Sequence, residues 1–263
     1  IAVCLLWSIV NPAHEARVGT LLDEHLPGVP YTLSHQLNPS IREFPRASST
    51  AIDASLKPLM THYMHSMEER LRAAGFGGRV LVVTSQAGVI DACEAAAAPI
   101  KIVNSGPSMA PVAGRYFGAV DEDASTIIVA DTGGTTYDVS LVRKGVIPVT
   151  RDTWIGPQYS GLMVGFPWVD VRSIGAGGGS IALVDAGGLL HVGPQSAGAA
   201  PGPVCYGRGG TRVTVSDACL ALGHLDAEFF LGGKMRLDRA AAESAIEAQI
   251  AQPLGLDVTQ AAA

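Results

Sequence analysis

The sequence predicts a layered α/β fold, and three observations carry that expectation. Strand-type apolar runs alternate with segments of helical period over the first half, a strand–turn–strand unit lies at 125–142, and the later glycines are interleaved with strand residues rather than set in polar linkers. Apolar residues fill 48% of the 263 positions and charged residues 16%, enough to build a core and too little charge for a disordered chain. The length suits one large domain, or one domain with part of another. A net charge of −6 and the lack of any Lys/Arg block would repel a phosphate backbone, so nucleic-acid binding is set aside.

Taken in order, "IAVCLLWSI" reads as a central strand buried on both faces. This apolar run stops at Asn11-Pro12, far short of the roughly 20 residues that cross a bilayer, and it has neither the basic leader nor the cleavage site of a signal peptide. A chain that opens in mid-strand is expected to begin inside a longer gene product. Asn11 caps a helix with Pro12 at its first position, ending near Pro27-Gly28. "YTLSHQL" reads as the next strand and "NPSIREFPRASST" as a polar connection. Leu56, Leu59, Met60, Tyr63, Met64, Met67 and Leu71 recur at three- and four-residue steps, which predicts a helix from Ser55 to Ala74, stopped by Gly75.

"RVLVVTS" follows as a strand, "VIDACEAAAA" as a short helix, "IKIVN" as a third strand, and "SGPSMAPVAGRYFGA" as a turn feeding a helix. Beyond residue 150 the glycine- and proline-rich stretch 151–213 reads as ordered functional loops. Within it "SIALVD" and "LLHVG" form a hairpin turning at "AGG". Two helices close the chain, "SDACLALGHL" and "DRAAAESAIEAQIA", the second capped by Asp238. Cys4, Cys93, Cys205 and Cys219 show no paired spacing and read as reduced, mostly packed thiols of a cytoplasmic protein.

The stretch that carries chemistry is "VADTGGTTYDVSLV", residues 129–142. Val, Ile, Tyr and Thr on both sides make two strands of a hairpin, broken by Gly133 and Gly134. Consecutive backbone N–H groups without Cβ atoms form a concavity for oxyanions, and Thr135 and Thr136 add hydroxyl donors. Asp131 and Asp138 at the shoulders suit a hydrated Mg²⁺, which takes one or two carboxylates together with substrate phosphates. Asp-x-Gly-Gly is also an ordinary hairpin turn, and spacing alone leaves that reading open.

"DTGGTTYDVSLV" resembles the second phosphate-binding hairpin of the actin, sugar-kinase and heat-shock chaperone ATPases. Together with "NSGPSMAPVAG", "VDVRSIGAGGGSIALVD", "LHVGPQSAGAAPGPVCYGRGG", "TVSDACLALGHLD" and "FFLGGKMRLD" in this order, the chain resembles the hydantoinase A / oxoprolinase family over nearly its whole length. That family includes ATP-dependent hydantoinases, 5-oxoprolinases and related ketone carboxylases.

The resemblance implies a ribonuclease-H-like lobe with glycine-rich loops. Residues 1–50 would be the end of a first lobe, and residues 51–263 a hydantoinase A / oxoprolinase domain incomplete at its C-terminus. The family's first phosphate hairpin and its adenosine-contacting glycine motif are not matched here, so the segment alone is expected to be inactive. By resemblance Asp131, Gly133, Gly134, Thr135, Thr136 and Asp138 form the phosphate hairpin, with Asp131 as catalytic candidate and Asp131 and Asp138 as Mg²⁺ ligands. Ser105-Gly106 match the Ser-Gly-Pro turn. Gly177 and Gly178 lie in a matching loop that either closes over a ligand or lets two backbones pack.

The implied reaction is ATP-dependent opening of a cyclic amide of hydantoin, 5-oxoproline or lactam type. The alternatives are the ATP-handling subunit of an acetone- or acetophenone-type carboxylase and, further off, a nucleotide switch without turnover. The implied partner is a hydantoinase B-type subunit or domain, in a hetero-oligomer without nucleic acid or membrane.

Other residues carry blander readings. His62 and His65 are spaced for a shared metal but lie off the Leu/Met stripe, on a solvated face. Asp217 is a first-turn carboxylate favoured by the helix dipole. Cys205 reads as a packed thiol rather than a nucleophile. Trp154, Phe166 and Trp168 read as aromatics pinning loops to the core.

Overall fold

The computed structural model describes every residue except 157. The chain divides into two compact units, one of residues 1–129 and 140–171, the other of residues 130–139 and 172–263.

The first unit is organised on one long helix, Glu43–Ala73. It begins at Glu43 rather than Ser55, because the polar residues that resembled a connection form its buried face: Arg46, Ser49, Thr50 and Asp53 are all fully buried. Pro45 is tolerated in the first turn, where its missing N–H would have no helical acceptor. Buried polar groups need partners, and these have them: Asn38 Nδ2 donates to Ser49 Oγ at 3.0 Å, and Asp53 accepts from Thr32 Oγ1 at 2.7 Å and from the Ile100 amide at 3.1 Å. That last bond corrects a second expectation. "IKIVN" is not a strand but a 3₁₀ turn, Pro99–Ile102, docked on the helix through Asp53, with Ile100 in the core beside Ile52, Val164, Phe166 and Trp168. Phe166 and Trp168 thus pin loops to the core as expected.

The N-terminal run is also corrected. Only Ala2–Val3 is strand, paired in parallel with Thr32–Leu33, and Leu6, Trp7 and Val10 are exposed in turns. Buried charges divert the chain. The Leu5 amide donates to Glu15 Oε1 at 2.7 Å and its carbonyl accepts from Arg46 at 2.6 Å, so neither continues a ladder. Glu15 likewise accepts from Ser34 Oγ at 2.6 Å and the His35 amide at 3.0 Å, which turns "SHQL" into the short helix Ser34–Leu37 instead of strand. The helix after Asn11 runs Ala13–His25, with Asn11 Oδ1 accepting the Ala13 amide at 3.1 Å.

Leu81–Val83 pairs antiparallel with Val89–Asp91, and Asp91 then caps the helix Ala92–Ala97. Met64 packs on Ala92, Ala95 and Ala96, so the expected stripe is buried around Met64, while Leu59 and Tyr63 face solvent. The Ser-Gly-Pro residues are not a turn but open the short helix Ser105–Ser108, and the helix Ala110–Glu122 follows. Among the described residues no helix is long and apolar enough to cross a membrane.

The second unit carries the tip of the hairpin formed by Ile127–Thr132 and Tyr137–Val142, flanked by Val171–Ile174 in a three-stranded sheet. The predicted second hairpin is present as Ser180–Val184 paired with Leu190–Ser196, with Asp185 Oδ1 accepting the Gly187 and Leu189 amides at its turn. Helices Val215–Ala221 and Arg239–Ile246 follow, the latter capped by Asp238. The unit has its own apolar clusters, one of Cys205, Leu220, Leu237 and Ala242, the other of Val213, Ile246 and Ile250.

Candidate functional site

The hairpin turn is closed by the Gly133 amide donating to the Thr136 carbonyl at 2.9 Å. The next two amides, of Gly134 and Thr135, donate to no group among the described residues, and both residues are exposed. Neither glycine has the left-handed φ that only glycine adopts easily. At Gly134 a Cβ would enter open space, so the fold itself does not demand glycine there. What glycine provides at this position is access to the turn's N–H groups.

The turn is held from behind by the loop at 175–180. The amides of Gly177, Gly178 and Gly179 donate to the carbonyls of Thr135, Gly133 and Gly134 at 3.2, 2.9 and 2.6 Å. A Cβ on Gly177 would lie 2.6 Å from the Thr135 carbonyl carbon and the Thr136 nitrogen. Of the two roles open for this loop, the geometry supports close backbone packing: the amides of Gly177, Gly178 and Gly179 are already spent on the hairpin.

Asp131 is exposed at the end of the first hairpin strand, and Asp138 is buried on the second. Thr136 Oγ1 donates to Asp138 Oδ2 at 3.2 Å, while Asp138 Oδ1 is buried with no partner among the described residues. An orphaned carboxylate oxygen is costly unless something else binds it. The donor set fits a hard cation such as Mg²⁺, which takes oxygen ligands.

The turn opens into a cavity of 530 Å³. Thr132, Gly133, Gly134 and Thr135 line one side with Gly178 and Gly179; the other wall is apolar, with Pro203, Tyr206, Val215, Leu225 and Phe230. Tyr206 and Phe230 touch with ring centroids 5.5 Å apart. Among the described residues no charged side chain lines it.

Asp217 fixes this wall. Fully buried, it reciprocates with Thr214 in a capping box and also accepts the Cys205 amide at 2.7 Å and the Val204 amide at 3.3 Å. The expected first-turn position is present; the cross-link to 204–205, which spacing could not reveal, is additional. Burial, then the Asp217 carboxylate, push the Cys205 thiol far above its usual range, so it is a packed thiol and not a nucleophile.

Ser105 and Gly106 belong to the first unit, where they open the short helix Ser105–Ser108 and Ser108 Oγ donates to the Ser105 carbonyl at 2.6 Å. His62 and His65 are exposed, as a solvated face requires. Glu68, Asp91 and Cys93 lie within ligand distance of one another, but Asp91 is already engaged by Arg79 at 3.2 Å and by the Cys93 amide.

The solved structures on which this mixed α/β chain superposes place it in the actin-like ATPase fold class. Within that class, the chain belongs to the hydantoinase/oxoprolinase family, whose model matches residues 46–263. It is 39% identical over 262 residues to the caprolactamase subunit alpha of Pseudomonas jessenii, covering 100% of this chain and 37% of that subunit. It is 39% identical over 269 residues to the acetophenone carboxylase gamma subunit of Aromatoleum aromaticum, covering 100% of this chain and 36% of that one. The crystal structure of the ATP-dependent caprolactamase from Pseudomonas jessenii superposes with a TM-score of 0.80 at 38% identity, covering 99% of this chain and 37% of the other. The chain therefore spans little more than a third of these relatives.

Proposed function

We propose that this chain is part of an ATP-dependent enzyme that opens a cyclic amide, and that its hairpin holds the ATP phosphates with Mg²⁺. The observation that carries the reading is the pair of amides at Gly134 and Thr135, unpartnered among the described residues, on two residues that line a cavity of 530 Å³. Asp131 and Asp138 would hold the metal. Bound there, Mg²⁺ would neutralise phosphate charge.

A lactam or hydantoin carbonyl is a poor electrophile because amide resonance strengthens its C–N bond. Transfer of the γ-phosphoryl group to the amide oxygen breaks the bond to ADP and forms a P–O bond. Water then attacks the activated carbon and the ring C–N bond opens, leaving the amine and an acyl phosphate, which a second water cleaves to the carboxylate and free phosphate. The protein's share is to place donor and acceptor and to stabilise charge with oriented N–H groups. Equal identity to a carboxylase subunit supports a second reading, in which the same hairpin serves phosphorylation during ketone carboxylation. Both relatives are named as subunits, which supports action with a further chain in a hetero-oligomer; a hydantoinase B-type subunit is the partner we propose.

The test is Mg²⁺-ATP binding by the full-length protein and its Asp131→Asn variant. Saturable binding by the parent and loss of substrate-dependent ADP release in the variant are expected; full activity in Asp131→Asn would remove Asp131 from the mechanism.

A further inference from the structure

We propose that Ser216 is a positioning residue for the phosphate hairpin, acting through Gly178; this rests on the hairpin being the ATP phosphate site. The Gly178 carbonyl accepts two hydrogen bonds from Ser216, from its amide and its hydroxyl, each at 2.8 Å. The Gly178 amide in turn donates to the Gly133 carbonyl at 2.9 Å. One peptide strip thus joins the first turn of helix Val215–Ala221 to the turn that bears the free amides. Ser216 lines the cavity together with Tyr206 of the apolar wall.

The contact has no slack. A Cβ on Gly178 would lie 2.9 Å from Ser216 Oγ and 3.8 Å from the Gly133 carbonyl oxygen. The nearest obstacle is therefore the serine hydroxyl itself, not the hairpin. This makes the pair separable by genetics: adding a methyl at 178 and removing the hydroxyl at 216 should partly cancel, whereas residues that serve stability independently would add.

The test uses the full-length protein with its partner subunit, measuring Mg²⁺-ATP affinity by equilibrium binding, steady-state ADP release, and melting temperature. Ser216→Ala should weaken ATP binding and raise the KM for ATP about tenfold, with kcat changed less than about twofold. Ser216→Thr, which keeps the hydroxyl, should restore affinity. Gly178→Ala should lose more affinity than Ser216→Ala, and Gly178→Ala/Ser216→Ala should bind ATP better than Gly178→Ala alone. Losses in the double variant that multiply, or unchanged affinity in a folded Ser216→Ala protein, would overturn the proposal. A parent protein that binds no Mg²⁺-ATP would overturn the nucleotide reading and this inference with it; normal binding by the parent with multiplicative losses would overturn this inference alone.

Discussion

A Cβ on Gly177 would sit 2.6 Å from the Thr136 amide nitrogen, closer than non-bonded atoms pack. The obstacle is main chain on both counts, since the Thr135 carbonyl carbon lies at the same distance. The hairpin is therefore shaped from behind by a glycine it does not contain.

Gly177→Ala should displace the turn rather than merely crowd it. Overpacking of this kind costs roughly 1–3 kcal/mol. A lower melting temperature with ADP release reduced at least about tenfold is expected. A variant with parental stability and ATP affinity would show that the loop yields freely.

Asp138→Asn separates stability from function. The buried Oδ1 has no partner among the described residues, so neutralising the carboxylate removes an uncompensated cost. Without Mg²⁺ the variant should melt no lower than the parent, while its Mg²⁺-dependent ADP release falls about a hundredfold. A large loss of stability without metal would mean that the carboxylate serves the fold.

Asp217→Ala should act in the opposite way. It leaves the Cys205 and Thr214 amides without their acceptor in a buried site. At about 1–3 kcal/mol for each stranded group, denaturant unfolding should show a loss on the order of 3 kcal/mol.

Acid stability should depend on Glu15. Burial pushes its carboxyl up, but hydrogen bonds from Ser34, the Leu5 amide and His35 outweigh this and hold it at about 2, against 4.5 normally. A depressed folded value stabilises above the unfolded one and is lost as pH falls between them. Glu15→Gln should flatten the stability profile of the parent between about pH 5 and pH 2. An unchanged acid limb would place the titration elsewhere.

What the sequence made legible follows from where local preference and burial agree. The hairpin around Gly133 and Gly134, the second hairpin turned by Asp185, and the helix capped by Asp238 were readable because alternation, turn chemistry and capping point the same way. The N-terminal run misled because apolar residues signal burial only when no stronger demand intervenes. Here Glu15 and Arg46 claim the Leu5 main chain. The start of the long helix was hidden for the converse reason: its buried face is polar, and its partners Asn38, Thr32 and Ile100 are distant in sequence. In the site, the residue types of the hairpin were legible, while the burial of Asp138, the ladder from Gly177–Gly179 and the wall of Tyr206 and Phe230 depend on tertiary contacts that spacing does not encode.

The most direct measurement is ADP release by the full-length protein with its partner subunit, given ATP, Mg²⁺ and either a cyclic amide or a ketone with bicarbonate. Stimulation by a lactam, hydantoin or 5-oxoproline without bicarbonate, abolished by Asp131→Asn, is the expected result. Stimulation that requires ketone and bicarbonate together, with none from any cyclic amide, would contradict it.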